Sequence, residues 1–178
     1  MKKLRVFDYT LYSLIILAGI GLDQLTKFLA VNYFNVDLAN PPINGSLTFP
    51  VWEDVFHFTF VANRGMAFGM LPNHRWVFML FSTVAIIALA AYLYLGYAQT
   101  KLYSIAAALI ISGGIGNMID RIWLEFVIDF IDFRIINFAV FNVADSFVCI
   151  GAGLLILALV LDLVKEAKNN KKSKGAKK

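Results

Sequence analysis

The chain has little of what metal or disulfide chemistry needs: one cysteine, Cys149, and two histidines, His57 and His74, in 178 residues. A lone thiol excludes an internal disulfide and any cysteine-based zinc cluster, and two histidines make another metal site a poor fit. No metal and no other cofactor is therefore expected. Charge is scarce too. Asp, Glu, Lys and Arg make up 16% of the residues against 60% hydrophobic, and mean hydropathy is +0.71. That excess of apolar residues is well above a soluble domain's share and points to lipid as the solvent. There is no convincing internal repeat, and no low-complexity segment except a lysine-rich end.

The net charge of +4 is not a nucleic-acid footprint, because it is confined to the flanks. Seven of the 11 lysines lie in "KEAKNNKKSKGAKK" (165–178), and Lys2, Lys3 and Arg5 precede the first apolar run. This is positive-inside flanking of membrane spans, with a tail that can also touch anionic headgroups. No nucleic-acid partner is expected.

Four stretches approach the ~20 residues that cross ~30 Å of hydrocarbon: 9–31, 76–97, 102–119 and 143–164. The first has no small-residue cleavage site behind a short apolar core, so it reads as a retained anchor. An even number of spans places both termini in the cytoplasm, together with the link "AQTK" and its Lys101. Residues 32–75 and 120–142 are then outside. The first holds the alternating run "VFHFTFVAN" and the turn-forming "NPPINGS", which predict a small sheet. The second, "DRIWLEFVIDFIDFRIINFAVFN", is too charged to span and too apolar to be freely solvated, so it is expected along the interface. The expected fold is a single all-α membrane domain over 1–178. It has four transmembrane helices, a small extracytoplasmic β-sheet and an interfacial loop segment.

The polar residues inside this frame need reasons. Asp23 and Lys27 are four apart, on one helix face, and pair most simply with each other. "GGIGNMIDRI" ends the third span with Asn117, Asp120 and Arg121; its glycines permit close packing, and Arg121 would neutralise Asp120. Asn63 and Gly65 form a polar turn in "NRGMAFG". In "VIDFID", Asp129 and Asp132 face opposite sides of an extended strand. Asp145, three residues after Asn142, opens the fourth span. A helix N-terminus stabilises an anion there by only ~0.3–1 kcal/mol, against the several kcal/mol that a buried charge costs in a bilayer. Cys149 is one turn deeper, where a thiol reads as packing, and Lys27 is the one lysine at a depth suited to a Ser–Lys pair. Two carboxylates sharing a proton suffice for hydrolysis, since like charges ~3 Å apart cannot both stay ionised. A proton-coupled transporter would spread its acids through the bilayer depth, whereas these gather at one boundary. A non-catalytic membrane assembly factor is the other alternative.

Five motifs in order, "DQLTK", "NRGMAFG", "GGIGNMIDR", "VIDFIDF" and "FNVADS", resemble the bacterial lipoprotein signal peptidases (signal peptidase II) along nearly the whole chain. The resemblance implies a metal-free membrane aspartyl protease. Such an enzyme removes signal peptides from prolipoproteins by cutting on the amino side of a diacylglyceryl-modified cysteine. It assigns the catalytic pair to Asp129 and Asp145. Asp23, Asn63, Asn117, Arg121 and Asn142 match positions that support the pair or contact substrate, and Lys27 and Gly65 lie within the same motifs. Asp120 matches a recurring position and is the second choice as partner of Asp145. Two departures stand out: Met66 and Ala67 where small residues are common, and a longer 37–54 segment. The expected setting is the bacterial cytoplasmic (inner) membrane, with the active site at the outer interface. Lipid-modified prolipoproteins and membrane lipids are the expected partners of a monomer.

Overall fold

The structure, a computed structural model, describes residues 6–65, 75–98, 100–136 and 138–175. Its elements are α1 (Val6–Phe34), β1 (Thr48–Trp52), β2 (Phe56–Asn63), α2 (Arg75–Tyr94), α3 (Lys101–Trp123), β3 (Val127–Phe133) and α4 (Val143–Gly175). A 3-10 turn, Arg134–Ile136, follows β3.

Among the described residues, three helices carry stretches long and apolar enough to cross a membrane: Asp8–Phe34, Lys101–Trp123 and Val143–Asn170. The helix α2 is 20 residues long, and its described apolar stretch is Met79–Tyr94. It stops before the expected Tyr97 because Gly96 takes φ +80°. The Tyr97 N–H then closes back on the Tyr92 carbonyl at 3.1 Å, a Schellman ending that only a left-handed residue makes easy. At the other end of the chain, α4 does not yield to a tail at 165 but runs on to Gly175.

The bundle is built around α3, of whose apolar window 56% is buried, against 22% for α1 and 11% for α4. Lipid tails are as apolar as leucine, so helices in a bilayer associate through close packing of small residues. Ala106, Ala107 and Ala108 of α3 are fully buried. A Cβ added to Gly113 would collide with the Ala144 carbonyl oxygen, and one on Gly116 would lie 2.5 Å from Asp23 Oδ2. These two glycines thus set how near α4 and α1 come to α3. Large side chains point outward instead, among them Leu17 and Leu25 of α1, Phe81 and Ile87 of α2, and Ile156 of α4.

The three strands form one antiparallel sheet in the order β1-β2-β3. It packs Phe60, Ala62, Ile128 and Phe130 against Val31 and Phe34 of α1. For residues 120–133 this corrects the expectation of an interfacial loop; beyond β3, Ile135, Ile136 and Phe138 remain exposed. Residues up to Trp123 continue α3, and "VIDFIDF" is the third strand, paired with β2 as Val61↔Asp129 and His57↔Asp132. Val127, Ile128 and Phe130 are buried in the sheet core, so lipid contact is not needed to account for them, while Phe133 is exposed. The long 37–54 segment supplies β1 and is fastened to β2. There the Asn44 side chain accepts from the Ala62 N–H at 2.9 Å, and the Phe60 N–H bonds Leu47 at 2.9 Å. After the 3-10 turn, Phe141 exchanges two backbone hydrogen bonds with Ile131, at 3.1 and 2.8 Å. That bridge starts α4 beside β3.

The packing of α3 gives a direct test. Gly113→Ala forces the α3–α4 backbones apart and should lower stability by about 1–3 kcal/mol. Gly153→Ala, whose Cβ would meet nothing within 4 Å, should stay within about 0.5 kcal/mol of the parent. Thermal unfolding of the two variants in one detergent checks this; equal losses would refute the close-approach role of Gly113.

Candidate active site

β3 carries Asp129 inward at 1% exposure. Its Oδ2 accepts from Asn63 Nδ2 at 2.8 Å and its Oδ1 from Asn142 Nδ2 at 2.7 Å. Burial, and next the negative charge of Asp145, push the Asp129 carboxyl up to about 8. Asp132, three residues on, turns to the other face, where it accepts from Thr59 Oγ1 at 2.6 Å and Arg134 Nε at 3.0 Å. The strand alternation thus brings one of the two acids into the site and leaves the other out.

Asp145 enters from the first turn of α4. Asn142 is the N-cap: its Oδ1 accepts the Asp145 N–H at 2.9 Å, and Asp145 Oδ2 accepts the Asn142 N–H at 3.3 Å. This reciprocal arrangement is a capping box, with Asn and Asp in place of the usual Ser/Thr and Glu/Gln. Asp145 Oδ1 is held from the other side by Asn117 Nδ2 at 2.7 Å. Asn142 therefore bonds both aspartates. It is fully buried, and its Nδ2 also approaches Asn117 Oδ1 at 2.9 Å.

Behind this group lies a buried ionic cluster. Lys27 Nζ sits 2.8 Å from Asp23 Oδ2, 2.9 Å from Asp120 Oδ2 and 3.0 Å from Asn117 Oδ1. Asp23, Lys27 and Asp120 are at most 3% exposed. The intrahelical Asp23–Lys27 pair is present as expected, but it is buried in the bundle. Asp120 pairs with Lys27 at 2.9 Å, a partner the sequence did not indicate. The i,i+1 neighbours diverge on a helix, and the Arg121 guanidinium donates through Nη1 to the Asn117 carbonyl at 3.2 Å. Arg121 still acts electrostatically on Asp145, Asp129 and Asp120. Gln24, which the sequence did not single out, donates to Asp120 Oδ1 at 3.0 Å and to Asp23 Oδ2 at 3.2 Å. Its place beside Asp23 in "DQLTK" was the available signal.

Gly65 donates its N–H to Asn63 Oδ1 at 3.0 Å, which fixes the amide so that its Nδ2 faces Asp129. Met66, Ala67 and His74 lie outside the described residues. Cys149 is exposed instead of packed, because α4 turns most of its surface outward. Among the described residues no group of three or more His, Cys, Asp or Glu side chains could hold a metal ion. Lys27, the lysine at the depth of a Ser–Lys pair, is engaged by two carboxylates and an amide. What the geometry offers chemically is a pair of carboxylates joined by one asparagine, with the Asp129 carboxyl raised by burial and by the charge of Asp145.

The comparisons with known proteins agree over most of the chain. Residues 15–161 match the family model described as signal peptidase (SPase) II. The chain is 45% identical over 151 residues to the lipoprotein signal peptidase of Clostridioides difficile (strain 630), covering 83% of this chain and 93% of that protein. It is 37% identical over 160 residues to the Bacillus subtilis (strain 168) enzyme of the same name, covering 89% and 98%. A solved bacterial membrane enzyme superposes with a TM-score of 0.76 at 30% identity, covering 86% of this chain and 90% of that one. A second bacterial membrane enzyme does so with a TM-score of 0.69 at 31% identity, covering 84% and 92%. Matched in sequence over residues 15–161 and superposable on solved membrane enzymes, the chain belongs to the signal peptidase II family.

Proposed function

We propose that the protein is an aspartic endopeptidase of the bacterial inner membrane that removes signal peptides from prolipoproteins, with Asp129 and Asp145 as the catalytic pair. The observation that carries the reading is Asn142, hydrogen-bonded at once to the Asp129 carboxylate and, through its backbone N–H, to that of Asp145. With one proton between them, the ionised carboxylate takes a proton from water while the protonated one donates to the scissile carbonyl oxygen. The hydroxyl adds to the carbonyl carbon. On collapse the C–N bond breaks, the amine leaves with a proton from the pair, and the signal peptide departs as a carboxylic acid. The apparent pKa values of the two groups belong to the pair.

The scissile bond lies on the amino side of a diacylglyceryl-modified cysteine. Acyl chains held in the bilayer confine that bond to the depth of the two acids, which gives a positioning gain. Both termini are cytoplasmic, and α2 is a fourth crossing. The sheet and the aspartates are then on the outer side, and the lysine-rich end lies inside.

Asp129→Asn and Asp145→Asn should each abolish cleavage of a diacylglyceryl prolipoprotein in membranes while folded yield is kept. The double variant should be little worse than either single one, because the pair acts as a unit. Asp132→Asn, on the other face, should retain substantial activity. Normal cleavage by either of the first two, measured as initial rate, would sink the mechanism.

The raised carboxyl of Asp129 sets the alkaline limb. Activity should decline as pH rises through about 8, where the pair loses its shared proton. Because this group binds its proton more tightly folded than unfolded, its contribution to stability is fully present below about 3.8 and lost as pH rises through about 8. Asp129→Asn should not show that loss; unfolding temperatures measured from pH 5 to 9 compare the two.

Topology is tested in intact cells in a Cys149→Ser background. An impermeant thiol reagent should label Ile43→Cys, a residue 86% exposed, and should spare Lys168→Cys; the reverse pattern would overturn the orientation.

A further inference from the structure

The ionic cluster behind the aspartates has a symmetry that its distances alone do not express. Asp23 Oδ1 accepts the backbone N–H of Ala144 at 2.9 Å, and Asp120 Oδ2 accepts the backbone N–H of Ile128 at 3.1 Å. Ala144 immediately precedes Asp145, and Ile128 immediately precedes Asp129. Each carboxylate of the cluster thus holds the peptide next to one member of the proposed catalytic pair, from a different helix. Asp23 belongs to α1 and reaches α4; Asp120 belongs to α3 and reaches β3. Lys27 Nζ joins the two carboxylates and reaches Asn117 Oδ1 as well. By donating to that oxygen, the ammonium orients the Asn117 amide so that its Nδ2 faces Asp145.

Resting on the reading of Asp129 and Asp145 as catalytic, we propose that Lys27 is a positioning residue. Its ammonium sets the distance between α4 and β3 by locking Asp23 and Asp120, and it fixes the amide orientation of Asn117, without touching substrate or the reacting atoms. The alternative is a merely structural ion pair. Three features favour positioning. All three charges are buried, where an ion pair has exacting geometry and tolerates no missing partner. The two carboxylates end on the peptides beside the two acids, not on surrounding scaffold. Gln24 Nε2 further ties Asp23 to Asp120 and to the Gly116 carbonyl at 3.2 Å, on the glycine whose missing side chain makes room for Asp23.

The test uses the full-length enzyme and a lipid-modified prolipoprotein. Lys27→Met/Asp120→Asn removes one charge of each sign, so no new net charge is buried. Its kcat should fall on the order of 10²-fold, the scale of a small misplacement of reacting groups, with KM within about twofold. The Lys27 charge also holds the Asp129 carboxyl down against burial. Its loss should move the alkaline limb upward in pH, while the groups that face Asp129 from elsewhere, Asp145, Asn63, Asn142 and Arg121, remain. A purely structural defect, as in Gly113→Ala, lowers folded yield and leaves the limb where it was. If the double variant does not fold, Asp120→Ala decides. It leaves one carboxylate against one ammonium and removes the acceptor of the Ile128 N–H, and it should lower kcat with KM unchanged. Parental kcat with an unmoved limb in the folded double variant, or parental kcat in Asp120→Ala where the double variant does not fold, would overturn the proposal. If Asp129→Asn and Asp145→Asn are inactive in the same assay, that failure belongs to Lys27 alone; if they are active, the catalytic pair itself is wrong.

Discussion

Everything at the site depends on one helix start. Asn142 has to do three things at once: cap α4, bond the Asp129 carboxylate and lie against Asn117. A cap residue has extended backbone and a side chain turned toward the first-turn N–H groups. That geometry carries the amide between the strand and the helix. The Phe141–Ile131 bridge and the fit of Gly113 against Ala144 keep α4 from sliding along β3 or drawing back from α3. The small residues of α3, the third strand and the cap are therefore parts of one constraint, the fixed position of Asp145 relative to Asp129.

What was legible in the sequence and what was not follows from the range of the forces involved. Helices stood out because their signal is local: long apolar runs with charges at the ends. The opposite faces of Asp129 and Asp132 were also legible, since alternation along a strand is local geometry. The strand itself was not. "VIDFIDF" is nearly all apolar apart from its aspartates, and only pairing with β2 tells a buried strand from an interfacial segment. The Lys27 partner of Asp120 was hidden for the same reason. Adjacency in sequence favoured Arg121, while Lys27 lies on another helix and is brought close by Gly116, whose missing side chain makes room for Asp23. Gln24 and the peptide N–H groups of Ile128 and Ala144 had no signal of their own, because a backbone donor is the same at every residue.

The setting makes this completeness necessary. In a membrane an unsatisfied polar group has no water to turn to and costs several kcal/mol. A cluster of four aspartates, a lysine and an arginine (Asp23, Asp120, Asp129, Asp145, Lys27, Arg121) can persist at the end of an apolar bundle only if nearly every lone pair and proton is used. The hydrogen-bond pattern meets that demand. Asp23 and Asp120 are each held by Lys27, Gln24 and a peptide N–H.

The same demand explains why the groups nearest the two acids are amides. A hydrolytic pair must keep one proton. A cation in direct contact with both carboxylates would favour ionising both and remove the acid partner. Asn63, Asn117 and Asn142 satisfy the carboxylate oxygens with neutral donors. Lys27 is engaged by Asp23 and Asp120, and its hydrogen-bonded path to Asp145 runs through Asn117. Burial can then raise the Asp129 carboxyl against a cation held one residue away. The ionic cluster supplies order and the amides supply hydrogen bonds; on the proposed reading of Asp129 and Asp145 as a hydrolytic pair, together they leave the proton where water activation needs it.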